Sequence, residues 1–281
     1  MIIAANAAYI HHIALIRRDN FLNCCGDFTG KIWKEGSATS VRLDKAVAMT
    51  GLTRSEARKA IAAGRVQVDG RPVRDGAMQV QPGQGRIDGS VSVEAGELYI
   101  MVNKPAGVLT ATEDQRLPTV LDLLPVPLRR RGLGPVGRLD RDVTGLVLLT
   151  TDGQLAHRLI SPKWKAEKQY RARCEGRLTA NEVEAFAQGI PLSDFTARPA
   201  RLALLETGDE VSTADVVLTE GKFHQVKRMF AATGHPLVAL ERLRIGPLAL
   251  DPALGPGQWR RLAEGEVDAL YKSCQLKSGE D

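Results

Sequence analysis

A carboxylate in a glycine-flanked polar loop that runs straight into an apolar strand is anchored by its backbone and free to face a cleft. The segment Gly137-Arg138-Leu139-Asp140-Arg141-Asp142-Val143-Thr144-Gly145-Leu146-Val147-Leu148-Leu149-Thr150-Thr151-Asp152-Gly153 has that form, with Asp140 just ahead of the apolar run. An ionised carboxylate so placed serves as a general base or a nucleophile. Taken alone, the same residues also fit a turn residue before a strand. Asp142 and Asp152 read as loop and turn residues. The four cysteines, Cys24, Cys25, Cys174 and Cys274, form no CxxC pair and no Cys/His spacing suited to zinc. They are expected to be reduced thiols in a cytoplasmic protein, with no metal site.

A second feature is a concentration of cations. Between Val41 and Arg86 stand Arg42, Lys45, Arg54, Arg58, Lys59, Arg65, Arg71, Arg74 and Arg86, against Asp44, Glu56, Asp69 and Asp75, an excess equal to the +5 of the whole chain. Clustered arginine suits nucleic-acid phosphates, which dominate affinity through counterion release. A solvated charged face has the same composition. The basic balance also admits an anionic membrane surface as partner. However, no apolar run approaches the roughly 20 residues of a membrane span. Met1 to Ile16 are apolar but are followed, not preceded, by Arg17 and Arg18, the wrong order for a secretory signal.

The chemistry needs elements to hold it. A length of 281 residues implies one large or two unequal domains, and 43% apolar against 25% charged residues is a globular balance. With aromatics at 5%, packing must lean on Ala, Val, Leu and Ile. Residues 1–40 lack a sustained period and end in Gly36-Ser37-Ala38-Thr39-Ser40, an extension whose role stays open. From Val41 to Val47 a short amphipathic helix is expected, and a second after Thr53, which forms a capping box with Glu56. Ala57, Ala60 and Ile61 give that helix its apolar stripe, Arg54 and Arg58 share another face, and Gly64 ends it. Val66 to Val68, the tight-turn pair Asp69-Gly70 and Arg71 to Val73 predict a hairpin. Gln81 to Glu97, rich in Gly, Ser and Gln, reads as a domain end and linker. Beyond it strands are expected over Leu98–Val102, Leu146–Thr150, Tyr170–Cys174 and Val211–Leu218, and helices over Leu155–Ile160, Ala180–Gln188 and His224–Thr233. The class is α+β. The expected boundaries are 41–88 for the basic module, 89–97 for a linker, 98–270 for the large domain and 271–281 for a polar tail.

Arg42-Leu43-Asp44-Lys45, Ser55-Glu56-Ala57-Arg58 and the run Ile61 to Gly70 resemble the S4 domain, an RNA-binding fold. Gly137-Arg138-Leu139-Asp140 resembles the aspartate motif of the pseudouridine synthases, and the likeness runs from Met101-Val102-Asn103-Lys104-Pro105-Ala106-Gly107 through Trp259-Arg260-Arg261-Leu262. Glu167-Lys168-Gln169-Tyr170 is similar to the family's second motif. Leu218-Thr219-Glu220-Gly221-Lys222-Phe223-His224-Gln225-Val226-Lys227-Arg228-Met229-Phe230 is similar to its third.

The resemblance implies an S4 module followed by a catalytic domain on a mixed, mainly antiparallel sheet with flanking helices. It implies an isomerase that converts uridine to pseudouridine in ribosomal RNA. The N1–C1′ bond breaks, the uracil turns and C5 bonds to C1′, so neither cofactor nor metal is called for. Asp140 would act as nucleophile or base, Lys227 would keep it ionised, and Tyr170 would stack on the extruded base. Leu218 would supply an apolar wall. Arg138 would fill the vacated space or hold phosphate, while His224 would orient the loop or meet RNA rather than catalyse. Gln225 joins these as a substrate-binding position, and Arg42, Arg54, Arg58 and Arg65 would contact the RNA backbone. Phe223-His224-Gln225-Val226-Lys227-Arg228-Met229-Phe230 matches members acting on small-subunit 16S rRNA, at uridine 516. Large-subunit 23S rRNA is the alternative target, and a non-catalytic rRNA-binding assembly factor the alternative function. The partner is rRNA, naked or in an assembling particle, and the chain is expected to be a monomer.

Overall fold

The computed structural model describes residues 40–48, 52–80, 84–88, 91–93, 97–125, 128–129 and 132–276. Residues 1–39, with Cys24 and Cys25, and residues 277–281 lie outside them.

The basic module is two short helices against small strands. β1 (Val41–Arg42) pairs with β4 (Gln79–Val80), so the helix expected from Val41 begins only at Leu43, as α1 (Leu43–Ala48). α2 (Arg54–Ala62) starts at the expected capping box. The Thr53 backbone amide donates to Glu56 Oε2 at 2.7 Å and the Glu56 amide to Thr53 Oγ1 at 3.2 Å, an arrangement worth about 1 kcal/mol. β2 (Val66–Val68) and β3 (Arg71–Pro72) form the hairpin, whose turn needs positive φ at both Asp69 (50°) and Gly70 (77°). The segment read as domain end and linker carries two more strands. β5 (Gly85–Ile87) pairs with β2, and β6 (Val91–Val93) pairs with β5. Backbone pairing there overrides the turn-rich composition. Leu43, Ala46, Val47, Ala57, Ala60, Ile61, Val66, Val68, Val80 and Ile87 form a small core of the module's own.

The remaining strands form a nine-stranded sheet. In chain order they are β7 (Tyr99–Lys104), β8 (Gly134–Pro135), β9 (Thr144–Thr150), β10 (Lys168–Glu175), β11 (Arg201–Glu206), β12 (Val211–Leu218), β13 (Leu237–Ile245), β14 (Leu248–Ala249) and β15 (Trp259–Arg261). The main order is β11-β12-β10-β13-β9-β7-β15, with β8 beside β9 and β14 beside β13. Only β13 and β9 run parallel; the other pairs are antiparallel, so the sheet is mixed and mainly antiparallel. The helices are α3 (Gly153–Ile160), α4 (Ala180–Gln188), α5 (Gln225–Ala232) and α6 (Glu264–Ser273).

Burial explains the sequence pattern of each strand. Val147 and Leu149 face a core shared with Phe186 of α4 and Phe230 of α5. Leu146 and Leu148 face the opposite core, with Leu155 and Leu159 of α3 and Leu270 of α6. A strand covered on both faces reads as an unbroken apolar run, which is what Leu146 to Leu149 is. β10 instead alternates, Tyr170, Ala172 and Cys174 buried while Arg171 and Arg173 are exposed. The boundary expected at residue 271 falls inside a helix. α6 continues to Ser273, Cys274 is buried and Tyr271 and Leu276 pack on the core beside Leu270. The Tyr271 hydroxyl also donates to Asp152, the residue that caps α3.

At the parallel junction Thr144 and Gly145 stand opposite Glu241 and Arg242. Gly145 has φ of +96°, and a Cβ there would lie 2.3 Å from the Arg242 carbonyl oxygen. The buried Arg242 adds a side-chain tie, its Nε donating to the Leu146 carbonyl at 2.8 Å. Gly145→Ala is therefore expected to destabilise the fold by more than about 2 kcal/mol. Chemical denaturation checks this, with a lowered midpoint at unchanged cooperativity as the expected result.

Candidate active site

The loop from Leu139 to Val143 precedes β9 and is held at nearly every residue. Thr110 Oγ1 donates to the Leu139 carbonyl at 2.9 Å and accepts from the Leu139 amide at 3.2 Å. The Val143 amide closes a turn onto the Asp140 carbonyl at 3.1 Å, and the Gly107 amide donates to the Arg141 carbonyl at 2.8 Å. Lys104, at the end of β7, is fully buried. Its ammonium donates to the carbonyls of Val143 (2.7 Å), Pro105 (3.0 Å) and Arg141 (3.2 Å). A cation with no side-chain carboxylate in hydrogen-bond reach uses backbone oxygens instead, and here they tie β7 to the loop.

Above this loop stands the start of α5. Lys227 Nζ lies 3.1 Å from Asp140 Oδ2 and 2.7 and 2.8 Å from the two oxygens of Asp142. Asp140 and Lys227 are mostly covered, with 30% and 26% of their side chains exposed, whereas Asp142 is 73% exposed. Burial opposes the charge on Lys227, but hydrogen bonds from it to Asp142 and Asp140 prevail and hold it above the ordinary lysine value. Asp142 is likewise partly desolvated, yet the Lys227 ammonium keeps it below the usual carboxylate range. His224 Nε2 lies 3.4 Å from Asp140 Oδ1, the oxygen that Lys227 does not take. Two cationic or hydrogen-bonding groups thus flank one carboxylate, whose Oδ1 edge lies toward His224.

Arg138, Leu139, Asp140, Val143, Tyr170, Leu218, Lys222, His224, Gln225, Lys227 and Leu240 line one pocket. The floor is the sheet itself, through Tyr170 of β10, Leu218 of β12 and Leu240 of β13. Tyr170 belongs to the core and to this pocket at once, being only 7% exposed. Arg138 makes no ion pair among the described residues, which leaves its charge available at the rim. Gln225 also borders the pocket, but it is buried and its amide is occupied. Its Nε2 donates to Glu220 Oε1 at 2.5 Å and its Oε1 accepts from the Lys222 amide at 2.9 Å. Through these bonds it shapes the turn that carries His224. All seven expected pocket positions are therefore brought together, six with side chains at the pocket and one as its buttress.

The four arginines of the basic module have a different setting. Arg42 forms a two-pronged pair with the buried Asp44 (3.1 and 3.0 Å), and Arg58 Nε lies 3.6 Å from the same carboxylate. Arg65 pairs with Asp88 at 2.9 and 2.5 Å. Arg54 stands exposed at the start of α2. Three of the four are thus oriented by carboxylates rather than free.

Sequence reasoning missed two groups of the site. Asp142, read as a plain loop residue, is the nearer partner of Lys227. Lys104 sits within a quoted motif, but nothing about a lysine before a proline signals complete burial. The described residues hold no group of three or more His, Cys, Asp or Glu placed to bind a metal ion. No helix among them is long and apolar enough to cross a membrane.

Residues 98–232 match the family described as RNA pseudouridylate synthase, and residues 41–84 match the S4 domain. The ribosomal small subunit pseudouridine synthase A of Escherichia coli (strain K12) is 42% identical over 236 residues, spanning 82% of this chain and 100% of that protein. The protein of the same name from Vibrio parahaemolyticus is 44% identical over 237 residues, with the same coverage of 82% and 100%. A crystal structure of a pseudouridylate synthase shares 38% identity with a TM-score of 0.58, covering 82% of this chain and 100% of that one.

Burial pushes the Lys104 ammonium down to about 8, against the pull of Asp142 and Asp140. Between pH 8 and the ordinary lysine value the unfolded chain holds a proton that the folded chain has released, so this group makes stability rise with pH across that window. Lys104→Met should lower stability by about 2 to 4 kcal/mol at pH 7, because three carbonyls lose their donor. The deficit should widen from pH 8 toward 10 and stay flat below 8. Denaturation of both proteins across that range checks it; a deficit that is level or shrinks above pH 8 contradicts it.

Proposed function

This chain belongs to the RNA pseudouridylate synthase family, and from that premise we propose that it isomerises one uridine of small-subunit ribosomal RNA, uridine 516 of 16S rRNA, with Asp140 as the essential group. The observation that carries this reading is the single pocket in which Asp140, Lys227, Tyr170, Arg138 and Leu218 meet, with Lys227 Nζ 3.1 Å from the carboxylate.

The chemistry follows from that geometry. A carboxylate attacks C1′ as a nucleophile or takes a proton from the ribose as a base, and both routes require it ionised in a site closed to water. Lys227 supplies the compensating charge, and Asp142 keeps Lys227 in place. The target base enters unstacked and lies between the Tyr170 ring and the Leu218 side chain, where it turns after the glycosidic bond breaks. Nothing is added or removed overall: N1 gains a proton and C5 loses one. Arg138, unpaired at the rim, holds phosphate or occupies the gap left in the RNA stack. The S4 module places Arg42, Arg54, Arg58 and Arg65 against the backbone of folded RNA, reading shape rather than sequence. The protein works as a monomer in the cytoplasm, without a cofactor.

Pseudouridine mapping of both ribosomal RNAs from cells lacking this protein, with and without the restored gene, tests the reading. Loss of one small-subunit pseudouridine at uridine 516, restored with the gene, is expected. A mark missing from the large-subunit RNA overturns the target, and an unchanged set in both overturns the activity.

A further inference from the structure

Among the described residues Phe223 is the most exposed large apolar side chain, at 76%, well ahead of Val238 at 55%. It stands one residue before His224, in the turn that opens α5. The two rings stack with centroids 3.8 Å apart and planes 18° from parallel. His224 in turn reaches Asp140 Oδ1 at 3.4 Å. The stack is therefore a continuous path of flat surfaces from the carboxylate outward past the pocket lip. Its geometry is fixed locally: His224 takes a φ of +50°, uncommon for a residue with a side chain, and its carbonyl accepts from the Arg228 amide at 2.9 Å. The neighbouring Lys222 is engaged elsewhere, its ammonium lying over the Phe195 ring at 3.5 Å.

Beyond its stack on His224, an apolar ring so exposed gains little from the fold, since burial is what rewards apolar surface. A phenylalanine with one face on a neighbour and the other open is the shape of a base-stacking platform. When a uridine leaves its stack to reach Asp140, its neighbour in the strand loses a stacking partner. A flat ring beside the pocket mouth is where that neighbour would find another.

We propose that the open face of Phe223 stacks on the base adjacent to the target uridine, making Phe223 a binding residue that helps select a single-stranded RNA segment. This rests on the reading of the chain as an RNA pseudouridine synthase and adds a contact to the same site. Stacking needs an aromatic plane, so shape and not apolarity alone decides the effect. The ring acts on RNA affinity, whereas the chemistry beneath it depends on Asp140 and Lys227.

The test compares the full-length wild type with Phe223→Ala, Phe223→Leu and Phe223→Trp, using transcribed small-subunit ribosomal RNA as probe and measuring KM and the saturated rate separately. Ala and Leu should each raise KM by about fivefold to a hundredfold while the saturated rate stays within about threefold, the range expected for one lost base stack. Trp should restore the wild-type KM, and its fluorescence should be quenched when RNA saturates the protein. An unchanged KM in Ala, or a Leu variant equal to wild type, overturns the platform. So does a fall in the saturated rate at constant KM, which would make Phe223 a support for His224. Wild-type protein that forms no pseudouridine in this RNA overturns the functional reading and the platform with it. Normal wild-type turnover beside unaffected variants overturns the platform alone.

Discussion

One ammonium held between two carboxylates is the interaction on which the site depends. Lys227 meets Asp142 with both oxygens and Asp140 with one, so the exposed carboxylate fixes the lysine and the lysine steadies the enclosed one. Burial opposes the charge on this ammonium, and its hydrogen bonds to the two carboxylates hold it above the ordinary lysine range. The pair spans a loop and a helix that are far apart in sequence. It is useful only if both arrive at the same place with little freedom.

That precision comes from the backbone around it. The Asp140 loop is gripped by Thr110 on one side and by the buried Lys104 on the other, and then enters a strand packed on both faces. α5 is placed by Met229 and Phe230, with Phe230 edge-on to Phe186 of α4 at 5.0 Å between centroids. Its first turn is fixed by Gln225 and Glu220. The rigid sheet supplies the floor of the pocket through Tyr170, Leu218 and Leu240, so the Asp140–Lys227 pair and that floor share one scaffold. Two buried cations, Lys104 and Arg242, do their work on main-chain carbonyls, which ties charge burial to loop position rather than to ion pairing.

Much of this was readable from residue order. β12 and α4 have the bounds expected for them, and the apolar run in β9 is that of a strand buried on both faces. The pocket set of Asp140, Tyr170, Leu218, His224 and Lys227 was legible because local motifs carry it. What escaped was non-local. β13 shows no clear alternation because it mixes Glu241, Arg242 and Arg244 with apolar residues, and its central position comes only from pairing with β10 and β9. β5 and β6 hid in a Gly/Ser/Gln-rich stretch, and the Tyr271 and Cys274 turn looked polar until α6 was seen to close on α3. Asp142 and Lys104 were obscure for the same reason, since their roles lie in partners 85 and 37 to 39 positions away.

The proposed isomerisation depends on the Asp140 carboxylate. The most direct measurement is single-turnover pseudouridine formation by purified Asp140→Asn on small-subunit ribosomal RNA, with RNA affinity determined on the same preparation. A rate reduced by at least about a thousandfold, at an affinity within about threefold of wild type, is the predicted result. A variant that still forms pseudouridine at the wild-type rate would contradict it.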